Sequence, residues 1–331
     1  LIVFKSLSTQ SAALKAALWL CVIGLPFFAT PAQIDIASQV WLAAIGAISL
    51  MLLTGYAGQI SLGHSALLAA GAFSVGILTK EFSAPSWVCL ILSPVIGALL
   101  GLLFGLPSLR LRGLYLAVST LAMHVLVVYL GGEYETKRGY STGIVVDPPS
   151  LLGFTVQTAV QWYFFLLFFA ALAYLLVRNL TVGRAGRAWA LLRTNETVAS
   201  ALGIRVDRYK LLAFVISSAM TSFAGGLFAY YRGFVSIEAF SIYLSIQYVA
   251  MIIVGGMGSL VGALLGCAFV TILPYVIEGS MAQLTFLSSQ AGAIFAVNYA
   301  VFGILMIAFL IFEPQGLSGL IKRFLPKRSS D

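Results

Sequence analysis

What most constrains this chain is the recurrence of apolar runs of about 18 residues or more, each long enough to cross a hydrocarbon layer of about 30 Å as a helix. The clearest, "SWVCLILSPVIGALLGLLFGLPSL" (86–109), holds no charged residue. Only 9% of the 331 residues are charged and 60% are hydrophobic, too few charges to cover a soluble fold of this length. The runs are continuous, unlike the alternating segments of roughly ten residues that build a membrane β-barrel. An all-α polytopic membrane protein is expected, with about ten transmembrane or partly re-entrant helices at 12–30, 38–55, 62–79, 86–106, 113–131, 159–177, 210–231, 241–257, 260–278 and 292–312.

The basic residues give this topology a direction. With the N-terminus inside, 15 of the 19 Lys and Arg fall on inner segments, and only Lys80, Lys137, Arg138 and Arg232 fall outside. The positive-inside rule therefore predicts an even number of spans with both ends cytoplasmic. Eight spans with re-entrant segments would satisfy the same rule. The first run followed by "ATPAQ" (29–33) also fits a cleaved signal peptide, which would leave the later orientation unchanged. A net charge of +8 is accounted for by this topology, anionic lipid and a cytoplasmic partner, without nucleic acid.

The whole chain reads as one transmembrane domain with three appended segments. One is an external loop at 131–158, of mixed charge and rich in turn residues. Another is an inner loop at 178–210 that carries seven basic residues, and the last is a basic tail at 313–331. Within the inner loop, "GRAGRAWALLRTNETVASALGIRVDRYK" (183–210) has helical periodicity from Gly186 to Gly203. Ala188, Leu191, Leu192, Val198, Ala199 and Leu202 share one face, and Arg193, Glu196, Thr197 and Ser200 another. Gly203 is placed as a C-cap. Such a segment suits either a helix held at the lipid interface by arginines or one presented to a soluble partner.

Chemistry within the chain finds little support. Neither a P-loop nor a zinc-peptidase HExxH occurs, and Ser61 and Ser65 lie outside any GxSxG elbow. Ser61 and His64 would share a helix face, yet no acidic residue lies near to orient the imidazole. Cys21, Cys89 and Cys267 sit in apolar runs as small hydrophobes. His124, in "LAMHVLVVYL", reads as a neutral histidine bonded to another helix or as lining of a polar path. "GALLGLLFG" (97–105) and "GGMGSLVGALLG" (255–266) carry the small-residue spacing of close helix packing. The span interiors lack the carboxylate that ion-driven transporters use for coupling, which disfavours a secondary transporter. A passive channel would leave the inner loop without a purpose.

One interruption remains: "GYAGQISLGH" (55–64) sets three glycines, Gln59, Ser61 and His64 between two apolar runs. It reads as a helix break, either for packing or with Gln59 and Ser61 at a pore or inner gate, His64 and His124 being further candidates for its lining. Aligning Gly58 with Gly258 gives a faint internal echo, "GQISLGHSALLAAGAF" beside "GSLVGALLGCAF".

Four stretches together resemble one family. "GYAGQISLGHSALLAAGAF", "GRAGRAWALLRTNETVASALGIRVDRYKLLAF", "VGGMGSLVGALLG" and "FEPQGL", in that order between about 36 and 317, are similar to signatures of ABC importer permeases of the branched-chain amino acid class. The resemblance implies a membrane permease subunit of a bacterial inner-membrane importer, forming half of a pore. It implies as partners a second related permease, ATPase subunits that bind the ATP, and an external substrate-binding protein. No cofactor is expected on the chain itself. It further implies that the inner loop is the ATPase-coupling element, carried by Gly186, Arg187, Ala188, Asn195, Glu196, Ala199 and Gly203. The general importer pattern of Glu-Ala-Ala followed four residues later by Gly is altered here. Val198 and Ala199 fill the paired alanine places and Glu196 stands one residue early. Leucine, isoleucine and valine are the substrates the resemblance implies, with urea, short amides or other neutral amino acids as alternatives.

Overall fold

A computed structural model describes residues 22–109, 111, 113–140, 143–151 and 154–281, with 300, 301, 303, 304, 307, 308, 311 and 316–319 near the C-terminus. The described chain is helical almost throughout. Its first long helix, α1 (Pro31–Leu50), begins with Thr30 and Gln33 exchanging backbone and side-chain hydrogen bonds, and runs on through a π-helical end at Met51–Tyr56. The same Thr-x-x-Gln box, Thr158 with Gln161, opens α5 (Ala159–Val182). Each box satisfies backbone N–H groups that a helix start leaves without partners.

Between these lie α2 (His64–Phe82), α3 (Ser86–Ser108) and α4 (Leu114–Arg138). Two short helices follow α5, α6 (Arg184–Thr194) and α7 (Glu196–Ala201), and then α8 (Val206–Arg232), α9 (Ile242–Gly255) and α10 (Leu260–Met281). Among the described residues, seven helices are long and apolar enough to cross a membrane, counting α1 with its π end as one. They coincide with seven of the ten expected spans. An eighth, α9, follows a 3-10 turn at Ile237–Phe240 and has only 14 residues, too short as a helix to span a layer of about 30 Å. Of the two remaining expected spans, 292–312 and all of 12–30 except 22–30 fall outside or at the margin of the described residues.

The core forms around α1 and α8. Over the most apolar window of its span α1 is 78% buried, against 28% for α4, so α1 is a central helix and α4 a peripheral one. Exposed apolar side chains such as Leu99, Leu103, Val118, Val125, Phe168 and Val276 suit lipid or another membrane subunit. Small residues allow a close crossing where Gly97 and Gly101 of α3 meet Ser218 and Ser222 of α8. A Cβ at Gly97 would lie 2.5 Å from the Ser218 carbonyl oxygen, so a side chain there would force the helices apart. The hydroxyl of Ser222 donates to the Ser93 carbonyl at 2.6 Å across the same seam.

Two ends of the bundle can be told apart. At one, the loop end, α6 and α7 cross between α5 and α8. At the far end, Ile144–Val145 pairs antiparallel with Phe234–Val235 and ties the segment after α4 to the chain leaving α8. Here α4 continues to Arg138, well into the stretch read as external loop, and its Arg138 pairs with Glu81 at 3.5 Å.

Candidate functional site: a helix break above a connecting loop

Two places gather the residues singled out in the sequence. In one, α1 stops at Tyr56, residues 57–63 have no regular structure, and α2 starts at His64. The start of α2 is deep. The His64 ring lies 4.8 Å from that of Tyr248, and a Cβ on Gly46 of α1 would touch the same Tyr248 ring. Gly46 is ten residues before Tyr56, roughly 15 Å along the axis at 1.5 Å per residue. Residues 57–63 therefore climb from the loop end back into the bundle.

Irregular backbone at that depth must find partners inside the protein. It does so through side chains of several helices. Gln59 N–H donates to the Leu53 carbonyl at 3.0 Å, and Thr54 Oγ1 donates to the Gln59 carbonyl at 2.9 Å. Gln59 Nε2 reaches the Lys210 carbonyl of α8 at 3.0 Å. The N–H of Leu62 donates to Thr120 Oγ1 of α4 at 2.9 Å, and that of Ser65 to Ser245 Oγ of α9 at 2.9 Å.

At the top of the break is a neutral polar cluster. Ser65 Oγ lies 2.9 Å from His124 Nδ1 and 2.7 Å from Ser245 Oγ, joining α2, α4 and α9. Gln59, Ser61, His64 and His124 are all buried, and His124 is bonded to Ser65, the chain neighbour of His64. Ser61 is not helical, so it does not share a helix face with His64 as the spacing suggested. Ser61 Oγ and His64 Nε2 have no hydrogen-bond partner among the described residues. Sequence reading weighed Ser65 only as an elbow serine and passed over Thr120, Ser245 and Tyr248, whose only signal is a polar atom within an apolar run. In the described spans every Asp, Glu, Lys and Arg lies within six residues of a span end. The interior is polar without being charged.

The second place is the connecting loop, which corrects the single helix expected from Gly186 to Gly203. Asn195 breaks it with extended backbone, φ −159° and ψ 111°. Its Oδ1 accepts from the N–H of Thr197 at 2.9 Å and of Val198 at 3.2 Å, and so begins α7 as a new helix. The cap wins because asparagine serves a helix start far better than a helix interior. Gly203, at φ +81°, ends α7 as expected.

The expected apolar face divides accordingly. Ala188, Trp189, Leu192 and Ala199 are buried, and Trp189 Nε1 donates to the Tyr209 carbonyl at 2.9 Å. Gly186 packs on the backbone of Thr181, with no room for a Cβ. Leu191, Val198 and Leu202 point outward instead, Leu202 with 66% of its surface exposed, alongside exposed Arg187 and Asn195. Glu196, expected on a polar face, forms an ion pair with the buried Lys210. A cavity of about 200 Å³ lies between the two places, bounded by Gln59, Arg193, Glu196 and Lys210 among others. Among the described residues no group of three or more His, Cys, Asp and Glu is placed to hold a metal ion.

A bundle of apolar spans, a broken helix lined with neutral polar groups and a loop with an outward apolar face define a multi-pass membrane protein. The model of one family, described as branched-chain amino acid transport system / permease component, matches residues 33–310. The chain belongs to that family. It is 30% identical to the high-affinity branched-chain amino acid transport system permease protein LivM of Salmonella typhimurium, over 95% of this chain and 76% of that protein. LivM of Escherichia coli is also 30% identical, over 91% and 73% respectively. The autoinducer 2 import system permease protein LsrC of an Enterobacter species is 30% identical over 74% of this chain and 70% of its own length. No solved structure matches.

Proposed function

We propose that this chain is one of two related permease subunits of an ATP-driven, binding-protein-dependent importer in the bacterial inner membrane, and that it carries branched-chain amino acids. The observation that carries this reading is the 30% identity to LivM over 95% of the chain, which takes in both the helix break and the connecting loop. In this reading the loop end faces the cytoplasm, as do both termini, and about ten segments enter the membrane. ATPase subunits grip the outward face of α6 and α7 at Arg187, Asn195, Val198 and Leu202. The external binding protein meets the far end and supplies most of the substrate selectivity. A neutral polar interior suits a zwitterion, because no fixed charge then binds one end of it too tightly to release. ATP-driven closure of the ATPases moves the loop and shifts the break between outward- and inward-open arrangements.

The test is uptake of labelled leucine by proteoliposomes holding the co-expressed permeases, ATPases and binding protein. ATP-dependent accumulation is expected. Accumulation driven by a proton or sodium gradient without ATP would overturn the reading. The relationship to LsrC favours a second reading in which the solute carried is autoinducer 2. Competition by that solute, with none by leucine, isoleucine or valine, would support it.

A further inference from the structure

Two glycine turns, one at each interruption of the long helices, close on a single side chain of the connecting loop. Arg193, in the last turn of α6, donates from Nη1 to the carbonyl of Gly55 in the π-helical end of α1. Its stem lies against Gly58, where a Cβ would come 3.3 Å from Arg193 Cγ. Its guanidinium lies against Gly258, where a Cβ would come 3.1 Å from Nη1. Both glycines hold left-handed backbone, φ +70° and +92°, that other residues adopt only with strain. The Gly258 turn also packs on the π-helical end of α1: its N–H points to Met51 Sδ at 3.2 Å, and a Cβ on Gly55 would come 3.1 Å from the Gly258 nitrogen. The pair that the internal echo aligned in sequence is thus brought to one arginine in space.

We infer that Arg193 is the positioning residue through which movement of the connecting loop reaches both helix breaks. The inference rests on the importer reading above. Gly58 leads into residues 59–64, which carry Gln59, Ser61 and His64. Gly258 joins the short α9, which carries Ser245 and Tyr248, to α10. The cluster groups on α2 therefore follow one turn that Arg193 touches, and those on α9 precede the other. Upstream, α6 is a rigid lever. Trp189 and Leu192 are buried, and the Trp189 indole is bonded to the first turn of α8. A guanidinium can bridge two backbone turns with its planar fork of donors, whereas a lysine ammonium acts as a single point. The simpler alternative is that Arg193 only satisfies one carbonyl at the end of α1.

Two measurements on the assembled importer separate these. In the first, Ser61→Cys is labelled with a membrane-impermeant thiol reagent and each site is read by peptide mapping, with the buried Cys89 and Cys267 as internal controls. Adding Arg193→Ala is expected to raise labelling at position 61 about tenfold, the effect of losing a charge-assisted hydrogen bond, while the controls stay unreactive. Arg193→Lys falls between. An unchanged rate at 61, or a parallel rise at the controls, overturns the inference. In the second, Arg193→Ala in proteoliposomes keeps ATP hydrolysis within about twofold but lowers uptake per ATP about tenfold, with partial recovery in Arg193→Lys. Hydrolysis and uptake falling in proportion would mean a merely structural role. If the unaltered complex shows no ATP-dependent uptake, the importer reading fails, and the labelling experiment still decides whether Arg193 holds the break.

Discussion

Gln59 Nε2 donates to the carbonyl of Lys210 at 3.0 Å, across 151 residues of sequence, and both residues are buried. This one bond fastens the irregular segment after α1 to the first turn of α8. Lys210 is itself paired with Glu196, so the break, the membrane helix and the loop meet at one point. Gln59→Leu removes the second hydrogen bond to that carbonyl, which keeps its helical one, at a cost of about 0.5–1.5 kcal/mol. A lower midpoint in thermal unfolding of the purified full chain is expected. A midpoint equal to that of the unaltered protein would mean the bond adds nothing.

The ion pair gives a second prediction. Lys210 has only 10% of its side chain exposed and Glu196 27%, so removing one charge strands the other in a poorly solvated place. Breaking such a buried pair costs about 3–5 kcal/mol, whereas replacing both partners with apolar residues of like size is near neutral. Glu196→Gln should therefore destabilise the protein strongly, and the double variant Glu196→Leu with Lys210→Met should recover most of the loss. Chemical denaturation of the three proteins checks this, and failure of the double variant to recover would sink it.

The polar cluster is testable by coupling energies. Ser65 bonds to both His124 and Ser245, so each partner's contribution depends on the others. A double-mutant cycle of Ser65→Ala and His124→Leu should return an interaction of about 0.5–2 kcal/mol. Simple additivity would mean that the hydrogen bond is absent in the bilayer-embedded protein.

Seven of the spans were legible because an apolar run long enough to cross a bilayer has few other fates, and the break at 55–64 because glycines and polar residues interrupt such a run. Seam packing at Gly97 was legible from spacing alone. The split at Asn195 was not, since helical periodicity continues across it and only the cap competes. Nor was the role of Arg193, placed on a polar face by periodicity, because its partners Gly55 and Gly258 lie far away in sequence. The Ser65–His124–Ser245 cluster was hidden for the same reason. A serine in an apolar run gives no hint of which helix it will face.

The seam between α3 and α8 predicts a loss of folding confined to small positions. Gly101 faces Ser218 so closely that a Cβ would lie 2.8 Å from the Ser218 Cβ, and Gly97 is tighter still. Gly101→Leu should push the helices apart, costing about 1–3 kcal/mol or more as overpacking, and the protein should elute as aggregate on size exclusion. Leu103→Ala, two residues away but 64% exposed, should elute as the unaltered protein does. Equal behaviour of the two variants would refute the seam.

The outward face of α7 predicts effects on partners that spare the fold. Gly203 holds φ +81° with nothing within 4 Å of where its Cβ would stand, so a side chain there suffers backbone strain but no clash. Gly203→Val should cost about 1–2 kcal/mol, since a β-branched residue tolerates left-handed backbone poorly, and should fray the end of α7. Leu202→Asp, at a residue 66% exposed, should cost less than about 1 kcal/mol, the effect of a negative charge at a helix C-terminus. Both changes should lower recovery of the ATPase subunits in co-purification while membrane insertion stays normal. Leu202→Asp is the sharper variant, because it alters the surface without touching the backbone. If it co-purified its partners and supported ATP-dependent uptake at full yield, the docking surface would have to lie elsewhere than on α7.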